Sequence, residues 1–497
     1  MANLKTLAKD TAIYGLSSII GRFLNYLLVP LYTYIFTAAS GGYGVVTNLY
    51  AYTAFFLVLL TYGMETTFFR FANKEGEDPR KVYSTILTSV GTTSTLFVAL
   101  VFLFLGPISR GMGYADHPSY IWTMAVIVAL DAFQAIMFSY LRYQRRPVKF
   151  AALKLLFIIM NITLNLLILV LLPKLAATHP WAARLYNPEV GVGYVFYINL
   201  FCTAFVTFFF WKELKGIAYG FDRDLMKRLL SYSWPILILG LAGILNQTAD
   251  KMIFPWIYKG ADASVQLGLY GAASKIAMIM ALITQAFRYA YEPLVFGSVR
   301  DKDNKKIYAD GMKYFIIFTL LAYLCVMGYL DILKHLLRNQ DYWEGLKVVP
   351  IVMAAEIMMG IYFNLSFWYK LIDKTIWGAV FSGIGCVVLL AVNFIFVPKY
   401  GYMACAWGGF AGYGVSMLLS YFVGQKHYPI AYPMKDILMY TLLSAVLLAG
   451  ILLSNQHLSF WPEMLVNTAL ILVFVGYILW KDLPPSNLPV VGKYFKK

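Results

Sequence analysis

Residues 11–34 read TAIYGLSSIIGRFLNYLLVPLYTY. The run is mostly apolar and holds one charge, Arg22, halfway along it. Crossing roughly 30 Å of hydrocarbon takes about 20 helical residues, so this length fits a membrane span better than a core helix. Hydrocarbon offers no partner to an unpaired backbone amide, so such a segment must be helical. The preceding residues, Met1–Asp10, are short and polar, and no short h-region with a small-residue cleavage site follows. The run is therefore expected to stay as a span.

The same pattern recurs along the chain. Of 497 residues, 60% are hydrophobic and 13% charged, against roughly 25% charged in a soluble domain. The mean hydropathy of +0.66 agrees. The apolar runs predict spans at 11–34, 43–64, 82–105, 119–141, 150–172, 191–211, 233–257, 266–290, 312–330, 347–369, 376–397, 402–424, 435–453 and 462–480. The expected fold is an all-α, polytopic membrane protein of about fourteen helices. Cys202, Cys325, Cys386 and Cys405 all fall inside spans and form no C-x-x-C pair. Neither a disulfide framework nor a zinc site is expected, and the five scattered histidines suggest no metal cluster.

The net charge of +16 is explained by topology. With the N-terminus inside, the inner segments hold 27 of the 41 Lys and Arg and the outer loops eight. This is the bias that sets orientation in membrane proteins. Both termini are then expected in the cytoplasm. No basic-aromatic patch is long enough for a nucleic-acid groove.

The first twelve spans read as two copies of six. At an offset of 225, Pro30 meets Pro255, Asp131 meets Glu356, and Pro173-Lys174 meets Pro398-Lys399. An offset of 227 aligns Tyr43-Gly44 with Tyr270-Gly271 and Glu65 with Glu292. The expected organisation is an N-lobe over 1–211, a basic amphipathic surface linker over 212–232, and a C-lobe over 233–424. Residues 425–497 hold two further spans and a tail. Parallel repeats place a substrate site between the lobes near the midplane.

Lys9-Asp10-Thr11, Tyr14-Gly15, Arg22, Pro30-Leu31-Tyr32, Tyr43-Gly44, Gly63-Met64-Glu65 and Arg70-Phe71 stand in a familiar order. The chain here resembles the Wzx-type polysaccharide/oligosaccharide flippases of the multidrug/oligosaccharidyl-lipid/polysaccharide exporter superfamily. The resemblance implies two lobes and alternating access, with spans one, two, seven and eight lining the cavity. It implies a cargo of oligosaccharide on polyprenyl pyrophosphate, moved across the bacterial cytoplasmic membrane for O-antigen, capsule or exopolysaccharide synthesis. A polysaccharide polymerase is an implied partner.

Charges inside spans mark the candidate site. A Lys, Arg or Asp at a span centre costs roughly 2.5–3.5 kcal/mol. Arg22 and Lys275 both sit near span centres, so they should face a wet cavity or a partner. Tyr14, Ser18, Arg22 and Asn25 share one helical arc with Thr11 and Tyr32, as a cavity lining requires. A packed helix interface, with Arg22 paired to an acid, is the alternative. Arg288 could supply a fork to a phosphate or pair with Glu292 one turn on. Asp250 and Lys251 lie near Asn246 and Gln247 and read as an ion pair before a ligand site. Asp131 and Glu356 are either sodium- or proton-coupling acids or structural ion pairs within each lobe. Lys154, Asn161 and Asn165 share a face and suggest interhelical hydrogen bonds.

An enzyme is not expected. The longest outer segment, about 173–190, carries one acid, Glu189, and one histidine, His179. No P-loop, H-E-x-x-H or G-x-S-x-G occurs. A drug or cation exporter of the same superfamily would favour an acidic or apolar lining. A peptidoglycan-precursor flippase fits the basic lining too. A membrane glycan polymerase is less compatible with such short outer loops.

Cysteine tags placed in 70–81 and 300–306 should react only from the cytoplasm, and tags in 110–117 and 174–187 only from outside. A tag that reacts from the opposite side would overturn the span count.

Overall fold

The computed structural model describes residues 26–215, 220–297, 304–372 and 374–482, and within them only helices and their connecting turns occur. Local chemistry sets the ends. Asp78 caps the helix Pro79–Leu103 by accepting from Arg80 N at 2.9 Å. Asp222 does the same for the helix Arg223–Ile257, accepting from Asp224 N and Leu225 N. A side-chain oxygen there satisfies amides that have no intrahelical partner. The Leu225 amide and the Lys81 ammonium hold the Asp222 carboxyl down to about 2. Proline stands in the first turn of Pro118–Tyr143 and Pro147–Leu166, where its missing N–H costs nothing.

Eleven described helices are long and apolar enough to cross a membrane. The expected span 191–211 corresponds to a shorter apolar helix, Gly193–Phe208, and 402–424 to the helix Tyr402–His427. Of 11–34, the helix Leu28–Ile35 is described. Large apolar side chains such as Leu103, Phe208 and Trp480 stay more than 70% exposed, as lipid-facing positions do. The helix Arg223–Ile257 starts about ten residues before its apolar run. Its first turns, placed in the linker from sequence, bury Leu225, Met226 and Leu229.

The chain divides into two compact units, residues 1–272 with 393–402, and residues 273–392 with 403–497. In the first, Phe68, Tyr83, Ile86, Met137, Phe210 and Leu229 form a fully buried core. Tyr83 and Tyr140 stack at 3.9 Å. Between membrane helices, packing and hydrogen bonds replace the hydrophobic driving force. Gln134 donates to Thr203 O at 2.9 Å and Thr207 Oγ1 at 2.7 Å. Tyr32 donates to Asn165 at 3.0 Å, and Asn165 donates to Asn161 O at 2.7 Å. The Asn161–Asn165 face is thus an interhelical bonding face. Tyr32, on the arc of the expected cavity lining, is buried with its hydroxyl engaged.

In the second unit, the helix Asn304–Gly328 packs against the last two helices, Met434–His457 and Phe460–Lys481. Lys313, largely buried, bonds Asp436 at 3.0 Å and also Asp482, which accepts from Tyr440 at 2.6 Å. At the other end Asn467 donates to Gly328 O at 2.9 Å, a helix-terminal carbonyl without an intrahelical donor. The two helices that lack a repeat counterpart are therefore fastened at both ends of one neighbour.

The two Tyr-Gly motifs meet inside the first unit. A Cβ on Gly44 would lie 1.8 Å from Ser264 O, and one on Gly271 would lie 2.2 Å from Thr47 Oγ1. Only glycine permits the helix Gly42–Thr61 to approach the start of Ala263–Gly297 so closely. Gly44→Ala should cost about 1–3 kcal/mol through overpacking, read as a lower melting temperature in detergent. Gly243→Ala, where the added Cβ meets nothing within 4 Å and alanine is the better helix former, should not lower it. Equal melting of both variants would refute the close approach.

Candidate functional site

Pro255 lies inside the helix Arg223–Ile257. Proline brings no N–H to the carbonyl four residues back, here Lys251 O. Asn48, from the helix Gly42–Thr61, donates to that oxygen at 2.7 Å. Tyr52 donates to Met252 O at 3.0 Å, and Trp256 donates to the Tyr52 hydroxyl at 3.0 Å. Tyr114 donates to Asn48 Oδ1 at 2.9 Å. The carbonyl freed by Pro255 is thus held by side chains of its neighbours.

Asp250 is 4% exposed one residue before that freed carbonyl. It accepts from Tyr270 at 2.6 Å and from both the backbone N and the Nζ of Lys251, at 2.9 and 3.2 Å. Lys251 Nζ also donates to Gln247 O at 3.0 Å. The acid and the cation therefore form an ion pair, about one turn before Pro255. Asn246 donates to Ala242 O one turn back on its own helix.

Two equivalent ion pairs close the basic ends of the repeats. In the first unit Arg142 Nη2 lies 3.3 Å from Glu65 Oε2, and Ser139 bonds both partners. The Lys154 ammonium lies over the Phe138 ring at 4.0 Å. In the second unit Lys370 Nζ lies 4.0 Å from Glu292 Oε1, and Arg288 Nη2 approaches the same oxygen at 3.4 Å. The Arg288 guanidinium also covers the Phe363 ring at 4.8 Å. The sequence alignment of Glu65 with Glu292 thus extends to their cationic partners. Reading each carboxylate against the last basic residue of the fourth span in its copy would have found both pairs.

The structure pairs Asp250 with Lys251 and Arg288 with Glu292, and places Asp131 on the helix Pro118–Tyr143. Glu356 is half-buried on the helix Val349–Leu365. Lys275 is half-buried on the helix Ala263–Gly297, where a neighbouring group engages it. Tyr14, Ser18, Arg22 and Asn25 lie outside the described residues. No group of His, Cys, Asp and Glu among the described residues could hold a metal ion. What the arrangement offers is ion pairs and a proline-freed carbonyl inside membrane helices.

The fold is similar to those of solved membrane transporters. A structure described as "Lipid II flippase MurJ, inward closed conformation" aligns with a TM-score of 0.72 at 16% identity, covering 94% of this chain and 98% of that one. An inward-facing multidrug resistance MATE family transporter of the MOP superfamily aligns with a TM-score of 0.60 at 14% identity, covering 84% and 94%. An outward-facing MATE structure gives 0.56 at 14%, covering 84% and 95%. A sequence comparison with curated proteins gives no match. A family model described as "Polysaccharide biosynthesis protein" matches residues 7–290, more than half of the chain. That stretch contains the Glu65–Arg142 pair, Asp131, Pro255 and Lys275, and the chain accordingly belongs to the polysaccharide biosynthesis protein family.

Proposed function

We propose that the chain flips oligosaccharide repeat units linked to polyprenyl pyrophosphate from the inner to the outer leaflet, by alternating access, for surface polysaccharide assembly. One observation carries the choice of an anionic cargo. Lys275 sits half-buried within a helix long and apolar enough to span the membrane, where a lipid-facing cation is costly. Arg22, by its place in the first span, adds a second such cation, and the guanidinium fork matches phosphate. A drug or cation exporter would put acids at these places. The peptidoglycan-precursor alternative also has an anionic head and separates by which lipid-linked saccharide accumulates when the gene is deleted. The setting is the bacterial cytoplasmic membrane, with a polysaccharide polymerase as the consumer of the product.

The cargo head also suggests a driving force. The cell interior is negative, and moving one charge through the potential is worth about 2.3 kcal/mol per 100 mV. A pyrophosphate diester carries two negative charges, so outward flipping gains about 4–5 kcal/mol at 100 mV when none is neutralised. Arg22 and Lys275 would neutralise the head in transit. The empty cationic cavity would then be drawn back toward the inside. On this account Asp131, Asp250 and Glu356 are structural acids rather than sodium or proton sites.

Arg22→Ala and Lys275→Ala should each abolish surface-polysaccharide export while the protein stays in the membrane at normal levels. Normal export by both variants would end the cationic-cavity reading. In proteoliposomes, an inside-negative potential alone should accelerate flipping of a lipid-linked oligosaccharide, and Asp131→Asn and Glu356→Gln should retain that response. If only a sodium or proton gradient drives transport, and only in the wild type, the acids are the coupling site instead.

A further inference from the structure

A second cationic feature lies at the surface of the first unit, apart from the intramembrane charges. A pocket of about 970 Å³ opens where the helices Pro79–Leu103, Pro147–Leu166 and Arg223–Ile257 all begin. Its lining carries six cationic and three acidic side chains. The acids are already committed. Asp78 caps one helix and Asp222 another while pairing with Lys81 at 2.6 Å. Glu213, with its side chain 1% exposed, sits between Arg146 at 3.3 Å and Lys149 at 2.5 Å. Arg80, Lys212, Lys215 and Arg223 make no ion pair among the described residues. Three helix N-termini add their positive dipole ends. The site therefore has a surplus of positive charge and a deficit of anions.

The rim identifies what fills it. Phe221, which lines the pocket, is 52% exposed, and Trp211, next in sequence to the lining residue Lys212, is 61% exposed. Aromatic rings gather at the level of the lipid headgroups. The Lys/Arg distribution puts this end on the cytoplasmic side, where anionic lipids attract basic residues. We propose that this pocket holds the phosphate headgroup of an anionic glycerophospholipid taken from the inner leaflet, with Arg80, Lys212 and Lys215 as its main donors. Arg146 and Lys149 are positioning residues that hold Glu213 down and keep the floor in place. Basic pockets between membrane helices on this side are known to accept such headgroups. The sequence carries no P-loop, which argues against a soluble nucleotide. The proposal does not depend on which cargo is carried.

The test reconstitutes the full chain in phosphatidylcholine vesicles with or without phosphatidylglycerol, re-extracts it, and weighs it by native mass spectrometry. The wild type should retain phosphatidylglycerol and not phosphatidylcholine. Each Arg or Lys near an anionic surface accounts for roughly a five-fold change in binding, so Arg80→Ala, Lys212→Ala and Lys215→Ala together should weaken retention about 100-fold. Arg80→Lys with Lys212→Arg and Lys215→Arg should preserve it. If the triple alanine variant does not insert, Lys215→Ala alone should show the roughly five-fold loss. Equal retention by wild type and alanine variants overturns the proposal. So does calorimetric binding of inorganic pyrophosphate that needs these three residues while phosphatidylglycerol retention does not.

Discussion

The structure rests on one constraint: a charge or backbone polar group in hydrocarbon must find a partner inside the protein. Several described charges within spanning helices follow it. Arg142 finds Glu65, Lys251 finds Asp250, and Lys313 finds Asp436 and Asp482. Such pairs add little net stability, because desolvation offsets most of their attraction. Their effect is on arrangement. Each forbids a helix from rotating its polar residue toward lipid, so they specify which faces of apolar, otherwise interchangeable cylinders meet.

The span positions were legible because length and apolarity alone define them. Expected spans at 376–397 and 462–480 became Ile376–Tyr400 and Phe460–Lys481. The starts of Arg223–Ile257 and Asn304–Gly328 were less legible, since their first turns are amphipathic and carry no long apolar run. Charged partners could be listed from the sequence but not matched. Lys313 falls within the expected span 312–330, and nothing local says that its acids lie at two later helices. Asn48 is a similar case: Pro255 announces an orphaned carbonyl, but only the fold shows which side chain meets it.

The internal repeat is visible at the level of interactions as well as sequence. A carboxylate near the end of the second span and a cation ending the fourth pair in the first unit as Glu65 and Arg142, and in the second as Glu292 and Lys370. The copies differ in detail. Arg288 joins the second pair, whereas Ser139 joins the first. Duplicated pairs of this kind suit a role in holding each copy together, and the asymmetry leaves Arg288 as the extra cation.

Pro255 has a mechanical consequence. An ordinary helix bends and straightens using its own hydrogen bonds. At Lys251 O the missing bond is supplied by Asn48 on another helix, and Tyr52 adds a second bond at Met252 O. Sliding the two helices apart would therefore leave Lys251 O without a donor, and closing the gap would restore it. Bending of one helix and shear against the other are coupled through that bond.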